Sequence, residues 1–204
     1  MGEDRWLIML PGPTNVPDRV MRAMIRPLMG HRGPEFRELY RRIVENAKYV
    51  FQTEGDLFVL TSSGTGGVAC ALENLLKPGD KVLVPVFGVF SSRMAETARR
   101  RGAEVVELPV EWGSAPRAKD IEDAFEREEG IKALCLVYNE TSTGVTVREL
   151  PKMSEVAKDH GALVVVDAIS ILGGDELPVD AWGIDICITA VSYTHLTLPT
   201  TERV

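Results

Sequence analysis

Three short polar segments stand where apolar runs end, and their residue types suit the binding of a small charged ligand. In the first, Ser62-Ser63-Gly64-Thr65-Gly66-Gly67 precedes an alanine-rich stretch of helical character. Unpaired backbone N–H groups and the positive end of a helix dipole gather at such a start, and Ser63 and Thr65 add hydroxyls, so an anion such as a phosphate would be held there. The same residues also serve simply as helix caps. The segment is not a nucleotide P-loop, because no Gly-Lys-Ser/Thr ending follows, nor is it a clean Gly-x-Gly-x-x-Gly. The second feature is Asp167, which closes the apolar run Leu163-Val164-Val165-Val166. A carboxylate at the C-terminal end of a buried strand is costly unless a cation or donor meets it, and that edge of an open α/β sheet is where ligands bind. Capping the next turn is the plainer role for an Asp so placed. The third is Asn139-Glu140-Thr141-Ser142-Thr143-Gly144, directly after another apolar run. Three such loops at one sheet edge argue for a site more strongly than any of them alone.

The elements needed to position these loops follow from hydrophobic periodicity. From about residue 56 short β-rich runs alternate with longer amphipathic stretches, the pattern of a parallel sheet covered by helices. Strands are expected over 57–61, 81–86, 104–108, 132–138, 163–167 and 185–189, and helices over 66–76, 90–101, 118–128 and 150–160. Lys77-Pro78-Gly79-Asp80, Arg101-Gly102 and His160-Gly161 are stop signals between them. Residues 34–51 carry Phe36, Leu39, Tyr40, Ile43, Ala47 and Val50 near helical spacing, with Pro34 in the first turn. Before them, the Pro-rich 10–17 segment reads as an extended arm.

Composition narrows the partners. The chain has 204 residues, 45% of them hydrophobic, and a net charge of −7, which leaves room for one large core and no basic face for nucleic acid. The run Arg99-Arg100-Arg101 sits at a helix end, where cations answer the dipole. Cys70, Cys135 and Cys187 are odd in number, far apart and set in apolar surroundings, so they read as core residues of a reducing compartment and not as disulfides or metal ligands. No leader opens the chain and no apolar run approaches the roughly 18 residues of a membrane helix, which makes a cytoplasmic protein the expectation.

Taken in order, PGPTNVP, GHRGPEF, TSSGTGG, the GVF segment, NETSTGV, VVVDAIS with LGGDELPVD, and WGID resemble the class V aminotransferases. These are fold type I pyridoxal 5'-phosphate (PLP) enzymes, and the likeness is to their alanine/serine–glyoxylate branch across residues 10–189. The resemblance implies an α/β fold: a mostly parallel central sheet with helices on both faces, here an incomplete large domain. It implies that Ser63, Gly64 and Thr65 hold the cofactor phosphate, that Phe90 stacks on the pyridine ring and that Ile169 packs beneath it. Thr141 would be a hydroxyl near the cofactor, and Asp167 the acid that pairs with the pyridinium nitrogen. Core and capping roles remain open for Phe90 and Asp167 on their residues alone. His31, Arg32 and His160 are as well explained by turns and a helix end, and Asp175, Asp180 and Asp185 by loops.

The family's Schiff-base lysine falls in the column of Tyr193, which cannot form an imine. As written, the chain therefore carries no catalytic lysine and is expected not to transaminate. Residues 191–204, VSYTHLTLPTTERV, lack the preceding periodicity and resemble a translated sequencing adapter, so they, His195 included, are expected to be a non-native tail. The expected organisation is an arm over 1–33, a partial PLP-binding domain over 34–190, the tail over 191–204, and a small C-terminal domain that this chain lacks. Through the resemblance, the intact protein is expected to be a homodimer that moves an amino group from a small amino acid, alanine or serine, to a 2-oxo acid, glyoxylate or pyruvate. A lyase or desulfurase reaction on the same fold, or a lysine-free ligand-binding protein, are the rival expectations.

Overall fold

Strands that are apolar at consecutive positions have no polar face to turn outward, so they can only form a sheet covered on both sides. In the computed structural model, which describes residues 8–194, this is what the Val- and Leu-rich runs do. Ahead of the sheet lie α1 (Asp18–Met24), α2 (Pro34–Phe51) and α3 (Gly64–Leu75). The alternating core follows as β1 (Lys81–Val86), α4 (Val89–Arg100), β2 (Glu104–Pro109), α5 (Ala118–Arg127) and β3 (Ile131–Val137). After a two-stranded hairpin, β4 (Asn139–Glu140) and β5 (Val145–Thr146), come α6 (Leu150–Asp159), β6 (Leu163–Asp167), β7 (Ile186–Ile188) and the single turn α7 (Val191–Thr194).

The five long-range strands are all parallel, in the order β2-β1-β3-β6-β7. Helices α3 and α4 pack together, as do α5 and α6, with α4 against β1 and β3 and α6 against β3 and β6. Val82, Leu83 and Val84 are all fully buried, as are Val164, Val165 and Val166, so neighbouring residues pointing to opposite faces are both covered. Each such side chain contributes roughly 1.5–3 kcal/mol of transfer free energy. The chain leaves β1 for β2 on one side and returns to place β3 on the other. That reversal opens a crevice at the strands' C-terminal ends, between the loops that follow β1 and β3.

Two expectations are corrected. Residues 57–61 form no strand, although their composition favours one: among the described residues no ladder partner pairs with them, and Phe58, Val59 and Leu60 are all exposed. A strand is stable only when its N–H and C=O groups find a neighbour, and propensity cannot supply one. Residues 191–194 form the single turn α7, and the rest of the closing segment, with His195, lies outside the described residues. Helix α3 also starts at Gly64 and not at 66, because Ser63 takes the N-cap position in extended conformation.

Candidate functional site

The first turns of α3 and α4, the end of β6 with the loop after it, and the residues that follow β7 line one cleft of about 160 Å³. Its wall includes Ser63, Gly64, Thr65, Phe90, Asp167 and Ile169, six of the seven residues singled out in the sequence. The seventh, Thr141, lines a smaller adjoining recess together with Phe90, Asp167 and Ile169. Tyr193 borders both. His31 and Arg32 are exposed in a turn and line neither.

One end of the cleft is built to hold an anion. Ser63 caps α3 by accepting the Gly66 N–H at 3.3 Å, which leaves the N–H groups of Gly64 and Thr65, the first two helical residues, without intrahelical acceptors. Gly64 leaves space: a Cβ there would stand 2.5 Å from Ile169 Cδ1, so a side chain at 64 would have to displace the Ile169 terminus on the cleft wall. Arg93, a residue sequence reasoning missed, adds a cation at this end. Its guanidinium lies 5.2 Å above the Phe90 ring and donates to Thr65 Oγ1 at 3.4 Å. The signal for it was present, since Phe90 and Arg93 are three apart and share a helix face. Replacing Ser63 by Ala is expected to lower stability by about 1 kcal/mol, and Ser63→Gly by only a few tenths, measured by urea unfolding. Equal losses for the two would show that the hydroxyl does not cap α3.

A carboxylate lines the same cleft. Asp167 is the last residue of β6, only 7% exposed, and one of its oxygens accepts the Ile169 N–H at 2.9 Å. Among the described residues it makes no ion pair. Burial pushes its carboxyl up to about 6; the Ile169 N–H works against that rise and the nearby charge of Glu140 adds to it. A buried carboxylate in that condition gains from any cation placed before it. Phe90 and Ile169 line the cleft and its recess, an aromatic ring and a branched aliphatic suited to the faces of a flat ring. Ser170 completes the recess, accepting from Thr141 Oγ1 and Asn139 Nδ2, each at 2.8 Å. The Cys187 thiol is pushed up to about 12, by burial first and by Asp167 second, so it is no nucleophile at neutral pH. Cys135 is wholly buried.

A doubly covered parallel sheet with a bipolar cleft at its topological switch point defines an α/β ligand-binding domain of the kind that fold type I enzymes use. The chain belongs to the class V aminotransferase family, whose model matches residues 9–192. It is 42% identical over 183 residues to an uncharacterized aminotransferase of Methanocaldococcus jannaschii, covering 90% of this chain and 47% of that protein. It is also 42% identical over 197 residues to the serine–glyoxylate aminotransferase of Methylorubrum extorquens, covering 94% of this chain and 48% of the other. The ureidoglycine–glyoxylate aminotransferase of Bacillus subtilis superposes with a TM-score of 0.87 at 32% identity, over 96% of this chain and 50% of that one. The chain thus spans about half the length of the curated relatives it matches.

Proposed function

We propose that this chain forms the cofactor-binding part of a PLP-dependent aminotransferase, which in the intact protein transfers an amino group from a small amino acid, alanine or serine, to glyoxylate or pyruvate. The observation that carries this reading is the cleft's lining: a helix N-terminus with Arg93, a buried Asp167 that makes no ion pair among the described residues, and an aromatic and an aliphatic side chain. PLP has a phosphate, a flat ring and a ring nitrogen that takes a proton, and each finds a suited group in this lining. Ser63, Gly64 and Thr65 would hold the phosphate by N–H and hydroxyl donors, Phe90 and Ile169 would enclose the ring, and Thr141 would stand at its edge. Asp167 would keep the ring nitrogen protonated, and bound in this way the cofactor supplies an electron sink for the electrons released at the substrate Cα. Both relatives at 42% identity are named aminotransferases, which favours amino transfer over a lyase or desulfurase step.

A second reading has one observation behind it. Tyr193 borders the cleft where the resemblance places a lysine, so the chain as written holds its ligand without a covalent bond. The two readings share a test. Pyridoxamine 5'-phosphate needs no lysine, and titrating it into the 204-residue chain while following its fluorescence is expected to give saturable binding that excess inorganic phosphate displaces. Absence of saturation would overturn both readings.

We further propose that the intact protein is a homodimer with a small C-terminal domain beyond the large one, and that residues 191–204 are not native to it. Met24, Ile25, Leu28 and Phe58 are each more than two-thirds exposed, an amount of apolar surface that another subunit or domain would cover. A cytoplasmic location suits three free cysteines, one of them fully buried. No helix among the described residues is long and apolar enough to cross a membrane.

A further inference from the structure

The start of α4 is capped from outside its own sequence. Its N-cap residue is Gly88, which has no side chain to accept the first amide groups of the helix. Glu140, in β4, takes that role from about fifty residues away. Its Oε1 accepts the Phe90 N–H at 3.2 Å and its Oε2 the Ser91 N–H at 2.8 Å. The Val89 N–H donates to Ser142 Oγ at 2.9 Å, and Ser142 Oγ in turn donates to Glu140 Oε1 at 2.6 Å. Ser91 Oγ accepts the Phe87 and Gly88 N–H groups, each at 3.0 Å, and lies 3.0 Å from Glu140 Oε2. Glu140 is fully buried, and a Cβ at Gly88 would fall inside contact distance of its Cγ and Cδ. Gly88 itself is extended, at φ 174, so glycine is required there for space and not for backbone conformation.

We propose that Glu140 is a positioning residue for the cleft. It does not line the cleft, but it fixes the first turn of α4, and that turn carries Phe90 and, one turn on, Arg93. Two loops of the switch point, after β1 and after β3, are joined through this one carboxylate. A negative charge at the helix N-terminus is also favoured by the dipole, and burial keeps it from being screened. The consequence for ligand binding rests on the cofactor reading above; the clamp itself does not.

Two measurements on the full chain separate these levels. In Glu140→Gln one of the two acceptor oxygens becomes an amide donor facing amide donors. Amide hydrogen exchange at Phe90 and Ser91 is then expected to quicken by about tenfold or more, with β3 and β6 unchanged. Unchanged exchange at these two amides would overturn the clamp. Should the variant lose protection everywhere, Ser142→Ala removes one limb of the network while leaving the carboxylate, and local quickening at Val89 alone is the expected result; none there would overturn the clamp as well. In the second measurement, Glu140→Gln is expected to weaken pyridoxamine 5'-phosphate at least about tenfold and inorganic phosphate, held by α3 as well as by Arg93, by clearly less; equal losses for the two would overturn the positioning of Phe90. In a double-mutant cycle the losses from Glu140→Gln and Phe90→Ala should overlap; full additivity would overturn the positioning role. A native chain that binds neither ligand would sink the cofactor reading, and with it the link from clamp to cleft, while exchange still decides the clamp.

Discussion

Asp167→Asn is expected to make the unliganded chain more stable at neutral pH and to remove most of its affinity for the cofactor. The carboxyl ionises at about 6 in the folded protein against 3.8 for an ordinary aspartate, chiefly through burial. Between those values the unfolded chain has already lost its proton while the folded chain still holds it. This residue therefore makes no difference below the lower value, lowers stability progressively as pH rises through the window, and reaches its full effect above about 6. The shift corresponds to something on the order of 3 kcal/mol. Asn keeps an oxygen for the Ile169 N–H and carries no charge, so the variant should gain on the native chain across pH 4 to 6 in parallel urea titrations. Other carboxylates, such as Asp80 and Asp175, are held below their usual range and move stability the opposite way, but they are common to both proteins and cancel in the difference. The same variant presents an uncharged amide to a ring cation, and pyridoxamine 5'-phosphate should bind roughly a hundredfold more weakly or worse. A variant no more stable at pH 7 would sink the burial argument; unchanged affinity would remove Asp167 from the site.

The second large effect is chemical. Treated with PLP and then borohydride, the unsubstituted 204-residue chain should show no label in the 191–194 peptide, because Tyr193 offers no amine. Tyr193→Lys places one at the junction of the cleft and its recess. Partial burial holds a lysine's pKa down and leaves more of it as the nucleophilic free amine. About one label per chain, mapped to position 193 and suppressed by excess phosphate, is the expected result. Labelling spread over surface lysines, equal in both proteins, would mean that position 193 does not face the bound aldehyde. Since Asp167→Asn weakens the non-covalent step, it should also slow labelling of the Tyr193→Lys chain.

What was legible beforehand divides by the distance over which a residue acts. The buried strands and covering helices were readable because apolar period and stop signals are local, and Lys81–Val86 and Leu163–Asp167 form as expected. Asp167 and the Ser63 turn were readable because the end of a strand and the start of a helix mark themselves in the chain. Residues 57–61 misled because a strand's partner is not in its own sequence. Arg93 was only half legible: its spacing from Phe90 puts the two on one helix face, but where that face turns depends on how α3 and α4 pack. Glu140 was seen only as one polar residue in a hydroxyl-rich loop. Its work is done on a helix start about fifty residues earlier, and no local pattern announces a cap supplied from elsewhere.

The contact between Gly88 and Glu140 also bears on how this cleft can change over generations. A methyl group at 88 and the carboxylate at 140 compete for one volume, so position 88 cannot gain a side chain while Glu140 stays as it is. A lineage that acquires alanine at 88 is viable only with a shorter acid at 140, and the shorter acid no longer reaches both amides of the α4 turn. The order of substitutions then matters: Glu140→Asp first leaves a loosened helix start that Gly88→Ala can fill, whereas Gly88→Ala first forces the two loops apart. Ser142 joins the same unit, since its hydroxyl would lie only 2.6 Å from the new Cβ. Gly88, Glu140 and Ser142 therefore form one packing unit, in which a change of size at one position is felt by the other two.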